Sequence, residues 1–312
     1  MLRGGPFPEY DVSLKTGASI IRNLPEPYLP VDIFIDKKGT WHVSGVVTPP
    51  QKIFRQVDVI FDALHGEHND ITHLLDAFGV PHTGSGRLAS VFAQHKGNAK
   101  KLLARRGIKT PVHKLIKKSD AEKIGPHRLW QTVPNPSIVK PAASGSSLGI
   151  TVARDVFSFE KALAQAFAHS DTALIEEFIS GREATCAVIE GFRGQTLYPM
   201  LPVEVVLPSG AVFFDYNAKY GEGGRAIHPG RFSVMEKEAI QNTARVAHET
   251  LGLRHYSRSD FIVSPKRGVY FLEINHEPEL SADGEFAGSL AAVGSSLSEF
   301  VSHVLGLALA GK

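Results

Sequence analysis

The stretch from Arg258 to Asn275, RSDFIVSPKRGVYFLEIN, constrains this chain most. Two apolar runs flank Pro265 to Gly268, so it reads as a β-hairpin with a four-residue loop. In that register Ser264 pairs with Val269, Asp260 faces Glu273 and Arg258 faces Asn275. Side chains alternate along a strand, so all four polar groups project from one face. Burying a carboxylate is costly unless something positive answers it. Two carboxylates and an amide oxygen form an all-oxygen site for a hard divalent cation, and Mg²⁺ takes one or two carboxylates plus substrate phosphates. The competing reading is a salt-bridge cluster in which Arg258 neutralises the acids. Beyond the hairpin the acids continue in HEPELSADG as Glu277, Glu279 and Asp283. A metal accounts for Glu273 and Asn275 but not for these three, which solvent would otherwise accommodate.

Around the hairpin, short strands alternate with helical segments. Val57 to Gly66 reads as a buried strand, and apolar residues at 71, 74, 75 and 78 have helical spacing that Gly79 ends. Leu88 to Gly107 reads as one basic helix. The first ~85 residues therefore suggest an α/β unit on a parallel sheet. From Pro111 a small α+β unit follows, then longer strands and a closing helix from about Gly294 to Leu309. With 312 residues, 43% hydrophobic and 21% charged, the composition is that of an ordinary globular protein of two or three domains. A net charge of +2, without a run of five Lys/Arg, gives no footing for nucleic acid. Cys186 is the only cysteine, which excludes an intrachain disulfide and fits a reducing cytoplasm. In the alternating run ATCAVIEG it reads as a small buried residue. The N-terminus lacks the apolar core of a signal peptide, and no run approaches the ~18 apolar residues of a membrane span. The expectation is a soluble cytoplasmic enzyme with small-molecule substrates and neither nucleic-acid nor membrane partners.

Three more motifs bear on chemistry. In KPAASGSSLG, Lys140 ends an apolar strand, and Gly145, Ser146, Ser147 and Gly149 can present N–H groups and hydroxyls to phosphate oxygens. No G-K-[ST] occurs, so this is not a Walker A loop, and alone it would read as a flexible turn. In LIEEFISGRE, Glu176, Glu177 and Glu183 can accept hydrogen bonds from ribose or an adenine amino group, although alone they would be solvated acids. TGSGRLAS matches a dinucleotide fingerprint at Gly84, Gly86 and Ala89, but the following KKLLARRG offers only basic charges where an acid is required. A tight strand-to-helix turn is the better reading. The Lys140 loop and the hairpin face ask for the same ligand, a magnesium nucleotide.

Taken in order, GG…EYDVSLKTG, DALHG, GVPHTGSG, VKP…GSSLG, IEEFISGRE, FFDYNAKY, RSDF and LEIN resemble the D-alanine–D-alanine ligases of the ATP-grasp superfamily over nearly the whole chain. The resemblance implies an α/β ATP-grasp fold of three domains. These are an N-terminal Rossmann-like (preATP-grasp) domain over 1–85, a central small domain over 86–182 and a C-terminal domain with the metal site over 183–312. It implies ATP-dependent joining of two D-alanines through an acyl phosphate, for peptidoglycan precursors. The cofactors are ATP and two Mg²⁺ ions, with Mn²⁺ an alternative, and the family is usually dimeric.

Carried over by motif, Lys96, Lys140 and Lys219 contact nucleotide phosphates with the loop residues Ser146 and Ser147. Glu176, Glu177 and Glu183 serve the nucleoside, and Phe178 and Ile179 line the adenine slot. Asp260, Glu273 and Asn275 hold the metal ions, and Arg258 stabilises the γ-phosphate and the oxyanion. Glu9, linked through Ser146 and Tyr220, binds the ammonium of the first D-alanine, near whose carboxylate His65 lies. Tyr220 to Ser233 is the loop that closes over the site.

The departures are specific. Only Met1, Leu2 and Arg3 precede Gly4-Gly5, so the alternatives are a missing first strand or a misassigned start codon. Ser144 and Asn217 replace glutamates, and HGEHND is a shortened loop. The family pattern E-x-N-T-x-P-G-M-T…S has Glu279 at its oxyanion-hole glycine. Gly284 falls near the serine that holds the second substrate's carboxylate. Glu279 would repel such a carboxylate. The alternatives are thus a ligase with another acceptor, or a non-catalytic nucleotide-binding relative.

Overall fold

The computed structural model describes residues 1–66, 68–142, 149–206 and 225–311. The N-terminal unit contains β1 (Leu2–Gly4), α1 (Tyr10–Arg22), β2 (Ile33–Ile35), β3 (Trp41–Val43), β4 (Val46–Val47), α2 (Pro50–Phe54) and α3 (Asn69–Ala77). Its sheet order is β1-β2-β3-β4. The first strand is therefore present, although short. Leu2 is fully buried, and Gly4 sits at φ +94°, where a Cβ would lie 2.2 Å from the Ile35 carbonyl oxygen. Only glycine permits that approach. The sheet is mixed: β1 and β2 run parallel, and β2, β3 and β4 antiparallel. The 57–66 stretch contributes only isolated parallel bridges, Leu2 to Asp62 and Ile60 to His82. Leu2, Ile33, Ile35, Trp41, Ile60 and Leu75 form its core.

The basic helix expected over 88–107 is two helices, α4 (Arg87–Gln94) and α5 (Lys96–Ala104). His95 breaks them at ψ 88°, and its ring accepts the Asn98 N–H. A four-stranded antiparallel sheet follows, in the order β5-β8-β6-β7, from β5 (His113–Lys117), β6 (Ser137–Pro141), β7 (Thr151–Ala153) and β8 (Thr172–Glu177). Helices α6 (Lys118–Ile124), α7 (Pro126–Trp130) and α8 (Val156–Phe167) accompany it. Asp155 and Ser158 close a capping box at the start of α8.

The large antiparallel sheet comprises β9 (Arg182–Glu190), β10 (Leu197–Pro199), β11 (Val203–Val206), β12 (Arg225–Ile227), β13 (Tyr256–Ser264) and β14 (Gly268–Asn275). On one face lies α9 (Val234–Thr250), with Ile240, Ala244 and Ala247 packed against Val188, Phe261 and Phe271. Ala93 of α4 and Ala99 and Leu103 of α5 join that same cluster. These helices thus pack on the large sheet, and α5 also touches the small one where Gly97 approaches Leu115 and Lys100 meets Glu176. The other face carries α10 (Glu285–Ala292) and α11 (Leu297–Ala310), which meet Ile20 of α1 in a shared core. Among the described residues no single helix is long and apolar enough to cross a membrane.

The decisive hairpin differs from expectation in its turn. Ser264 pairs with Gly268, leaving a three-residue loop, and a bulge between Asp260 and Phe261 then shifts the register. Beyond the bulge Asp260 faces Glu273 and Arg258 faces Asn275, as the sequence predicts. The extra residue is Leu272, which lines the cleft described next.

Candidate active site

A cleft opens between the small and the large sheet. From the small sheet it takes Lys140, Glu176, Glu177, Phe178 and Ile179, and from the large sheet Glu183, Arg258, Asp260 and Glu273. The structure thus brings together nine side chains that the sequence pointed to from four separate segments. Strand pairing explains why. Lys140 sits opposite Leu174 on adjacent strands, so its side chain reaches Glu176 two residues on.

Glu176 is 2% exposed and is clamped by two ammonium groups. Lys140 Nζ donates to its Oε2 at 2.8 Å, and Lys100 Nζ donates to Oε1. Burial raises the Glu176 carboxyl, but Lys100 and Lys140 outweigh it and hold the group below its ordinary value. Lys100 is fully buried, and burial pushes its ammonium down to about 8 despite the attraction of Glu176. Lys140 is also pushed down by burial, yet Glu176, Glu273 and Asp260 together raise it. Its charge is thus secured next to the cleft. Glu176, expected to serve the nucleoside, has both carboxylate oxygens engaged by the two lysines. Glu177 lines the cleft but pairs with Arg267. Lys96 does not line the cleft, and its Nζ lies 3.5 Å from Glu273 Oε2. Phe178 stacks under the Arg154 guanidinium, 5.5 Å from the ring centroid.

Lys100 went unread in the sequence, although a signal was there. Gly97, Lys100 and Leu103 share the buried stripe of α5, and a lysine in such a stripe needs a buried partner.

The metal candidates divide. Asp260 and Glu273 face each other across the hairpin and both line the cleft. Asn275 lies opposite Arg258, and its Oδ1 accepts the Glu277 N–H at 2.9 Å. Arg258 is buried and holds Asp260 through Nε (3.1 Å) and Nη2 (3.2 Å), while its Nη1 lies 3.3 Å from Glu285 Oε2. Burial lowers its pKa, but Asp260 and Glu285 raise it above its ordinary value, so it is permanently cationic. The hairpin face thus holds an acid pair in register with Arg258 hydrogen-bonded beside it. Glu285, in the first turn of α10, is an acid the sequence reading missed.

A second cavity lies beyond Arg258. Lys15 and Arg22 of α1, Arg225, Glu279, Ser281 and Asp283 are among the residues that line it. Arg258 and Glu285 line both cavities. Gly284 caps α10 in extended backbone, and a Cβ placed there would lie 2.8 Å from Ser281 Oγ. Ser281 thus puts a hydroxyl beside the position from which a serine at 284 would extend.

Glu9 precedes α1, and its carboxylate lies close to Gly66. His65 is buried, and its Nε2 lies 3.1 Å from Thr16 Oγ1, which also accepts the Leu280 N–H at 3.4 Å. Burial lowers the His65 pKa against the opposing pull of Glu9 and Glu277, which favours the neutral ring. His65 is thus tied through Thr16 to the segment that forms the second cavity. Ser146, Ser147, Lys219 and Tyr220 lie outside the described residues, as do Ser144, Asn217 and the first part of the expected closing loop.

The family described as "D-ala D-ala ligase C-terminus" matches residues 102–306. The D-alanine–D-alanine ligase of Citrifermentans bemidjiense is 32% identical over 98% of this chain and 94% of its own length. That of Syntrophotalea carbinolica is 33% identical over 98% and 94%. Among solved structures, the VanG D-Ala:D-Ser ligase of Enterococcus faecalis superposes with a TM-score of 0.84 at 25% identity, covering 98% of each chain. The D-alanine–D-alanine ligase of Coxiella burnetii gives 0.83 at 22% identity, over 99% of this chain and 93% of that one. Such structures share the ATP-grasp fold expected from the sequence.

Proposed function

The chain belongs to the D-alanine–D-alanine ligase family, and from that premise we propose how its residues join two D-alanines at the expense of ATP. One observation carries the proposal: Arg258 and Glu285 line both the inter-sheet cleft and the second cavity. A nucleotide in the first and an acceptor in the second would meet at the Arg258 guanidinium.

In this reading Lys140 supplies fixed positive charge to the phosphates, and Glu176 and Lys100 hold it in position. Phe178 and Ile179 border the adenine, with Glu183 nearby. Lys96, Ser146, Ser147 and Lys219 complete the phosphate contacts. The donor set of Asp260, Glu273 and Asn275 is all oxygen and fits two Mg²⁺ ions. When bound, these ions neutralise charge on the phosphate oxygens.

Glu9 takes the first D-alanine's ammonium, supported by Ser146 and Tyr220, and His65 lies near its carboxylate. A carboxylate oxygen of that D-alanine attacks the γ-phosphorus, and ADP leaves. The neutral amine of the second D-alanine then attacks the acyl carbon. The carbonyl electron pair moves to oxygen, where Arg258 faces the developing charge. Collapse expels phosphate, and the amine loses a proton to give the dipeptide. Loop closure over 220–233 would exclude water from the acyl phosphate. Peptidoglycan precursor synthesis follows from this product; a cytoplasmic location and a homodimer belong to the same proposal.

A second reading concerns the acceptor alone. Glu279 lines the cavity where the acceptor would sit, beside Ser281, Asp283 and four cationic side chains, Lys15, Arg22, Arg225 and Arg258. It would turn away a poorly aligned carboxylate and favour an acceptor bearing an amine. Under the first reading Ser281 takes over the role expected near 284. Labelling the D-alanine carboxylate with heavy oxygen tests the acyl phosphate. One labelled oxygen should appear in the released phosphate; phosphate without label would rule the intermediate out.

A further inference from the structure

The acids beyond Asn275 find a partner far away in the sequence. Glu277 is buried, and its Oε1 lies 3.0 Å from Nε2 of His68, which is 209 residues away. Asp62 Oδ2 lies 3.5 Å from the same nitrogen. His276 Nε2 lies 3.6 Å from Glu277 Oε2. His276 is 5% exposed, and that nitrogen has no hydrogen-bond partner. Among the described residues neither carboxylate forms a salt bridge with a lysine or an arginine.

The ring of His68 is oriented from behind. Its Nδ1 lies 2.9 Å from the Gly66 carbonyl oxygen, which can only accept, so Nδ1 carries a proton. This is the contact that commonly fixes the tautomer of a metal-ligating histidine. Nε2 then faces two carboxylates that also only accept, so it carries either a second proton or a metal ion. Asp62 is prepared in the same way, with its Oδ1 held by the Leu64 N–H at 3.0 Å and Oδ2 turned to His68. Ligand atoms of Asp62, His68 and Glu277 all lie within 4.8 Å of one another. Metal–nitrogen and metal–oxygen bonds of about 2.0–2.2 Å place tetrahedral ligands roughly 3.4 Å apart. The His68–Glu277 and His68–Asp62 separations of 3.0 and 3.5 Å bracket that value.

We infer that Asp62, His68 and Glu277 form a second metal site, for a divalent transition ion of the zinc class and separate from the nucleotide's magnesium. An imidazole between two carboxylates suits a borderline ion, whereas the Asp260 face offers oxygen alone. The ion would fasten the N-terminal unit to the segment leaving β14, two residues past Asn275. It would be structural, because its ligands are buried and come from both units.

The test uses the full chain, stripped with chelator, loaded with Zn²⁺ and freed of excess by gel filtration in Mg²⁺ buffer. About one zinc per chain is expected in the parent and in Asp260→Asn. His68→Gln and Glu277→Gln should each retain less than about a tenth of that, with circular dichroism reporting that they fold. Co²⁺ loading of the parent should give the visible bands of a tetrahedral site, a readout that needs no variant. Sub-stoichiometric zinc in the parent, or equal retention in folded His68→Gln, would overturn the inference and leave His68 as a doubly protonated bridge. Loss of zinc in Asp260→Asn with retention in Glu277→Gln would assign the ion to the nucleotide site and also overturn it.

Discussion

Replacing Glu176 with glutamine removes one charge from the most enclosed part of the cleft. Volume is conserved, so the effect is electrostatic. Two charge-assisted hydrogen bonds are weakened, and two buried ammonium groups lose their shared counter-ion. Breaking a buried pair in this way costs about 3–5 kcal/mol. Lys100 limits the loss. Its pKa is already held near 8 by burial and falls further without Glu176, so it sheds its proton near neutral pH. Losing a proton at pH 7 from a group near 8 costs about 1.4 kcal/mol at most. The low end, about 3 kcal/mol, is therefore expected. Trp130 packs on Phe159 beside the small sheet, with ring centroids 5.1 Å apart, and reports that unit's unfolding in urea. Lys140, no longer oriented, should bind nucleotide about tenfold more weakly by calorimetry. The control is Glu177→Gln, whose partner Arg267 is solvent-exposed; its urea midpoint should not move. A Glu176→Gln protein within about 1 kcal/mol of the parent, with unchanged nucleotide affinity, would refute the reasoning.

Four further changes have defined outcomes. Asp260→Asn or Glu273→Gln should lower kcat on the order of a hundredfold or more, since each removes charge from the proposed magnesium face. Gly181→Ala would drive a Cβ to 2.4 Å from the Val263 carbonyl oxygen, and calorimetry should show roughly 1–3 kcal/mol of destabilisation. Ser281→Ala should raise the acceptor KM roughly tenfold with kcat little changed, because the lost hydrogen bond would be to a charged group. His255 accepts the Gly84 N–H on Nδ1, and burial holds its pKa down to about 4. Between about 4 and 6.5 the unfolded chain binds the extra proton, so this contribution is full above 6.5 and is lost as pH falls through 4. His255→Asn tolerates the residue's φ of +67° and should lack that proton's share of the acid slope in pH-dependent unfolding.

The hairpin shows how much of the site was legible. Its facing pairs follow from alternation and loop length, and they came out right although the loop is one residue shorter than expected. Leu272, inserted as a bulge, restores the register, and nothing in an alternating pattern announces such a residue. Helix α9 was overlooked even though its capping box, Ser233 with Glu236, is written in the sequence. The first strand was legible only as three residues, too few for a periodicity, yet burial of Leu2 secures it. Lys100 and Glu285 escaped for another reason. Glu285 looks like an ordinary surface charge until tertiary packing turns it towards Arg258, and the stripe that Lys100 shares with Gly97 and Leu103 implies a buried partner without identifying Glu176. The His68–Glu277 contact spans 209 residues, and no local pattern encodes it.

Product analysis tests the central claim most directly. Purified protein is given ATP, Mg²⁺ and D-alanine, then a panel of amino-acid, hydroxy-acid and amine acceptors, and ADP release is followed with products identified by mass. The account predicts D-alanyl-D-alanine, with one ADP and one phosphate for each dipeptide. ADP release only with another acceptor, or tight ATP binding without turnover, would contradict it.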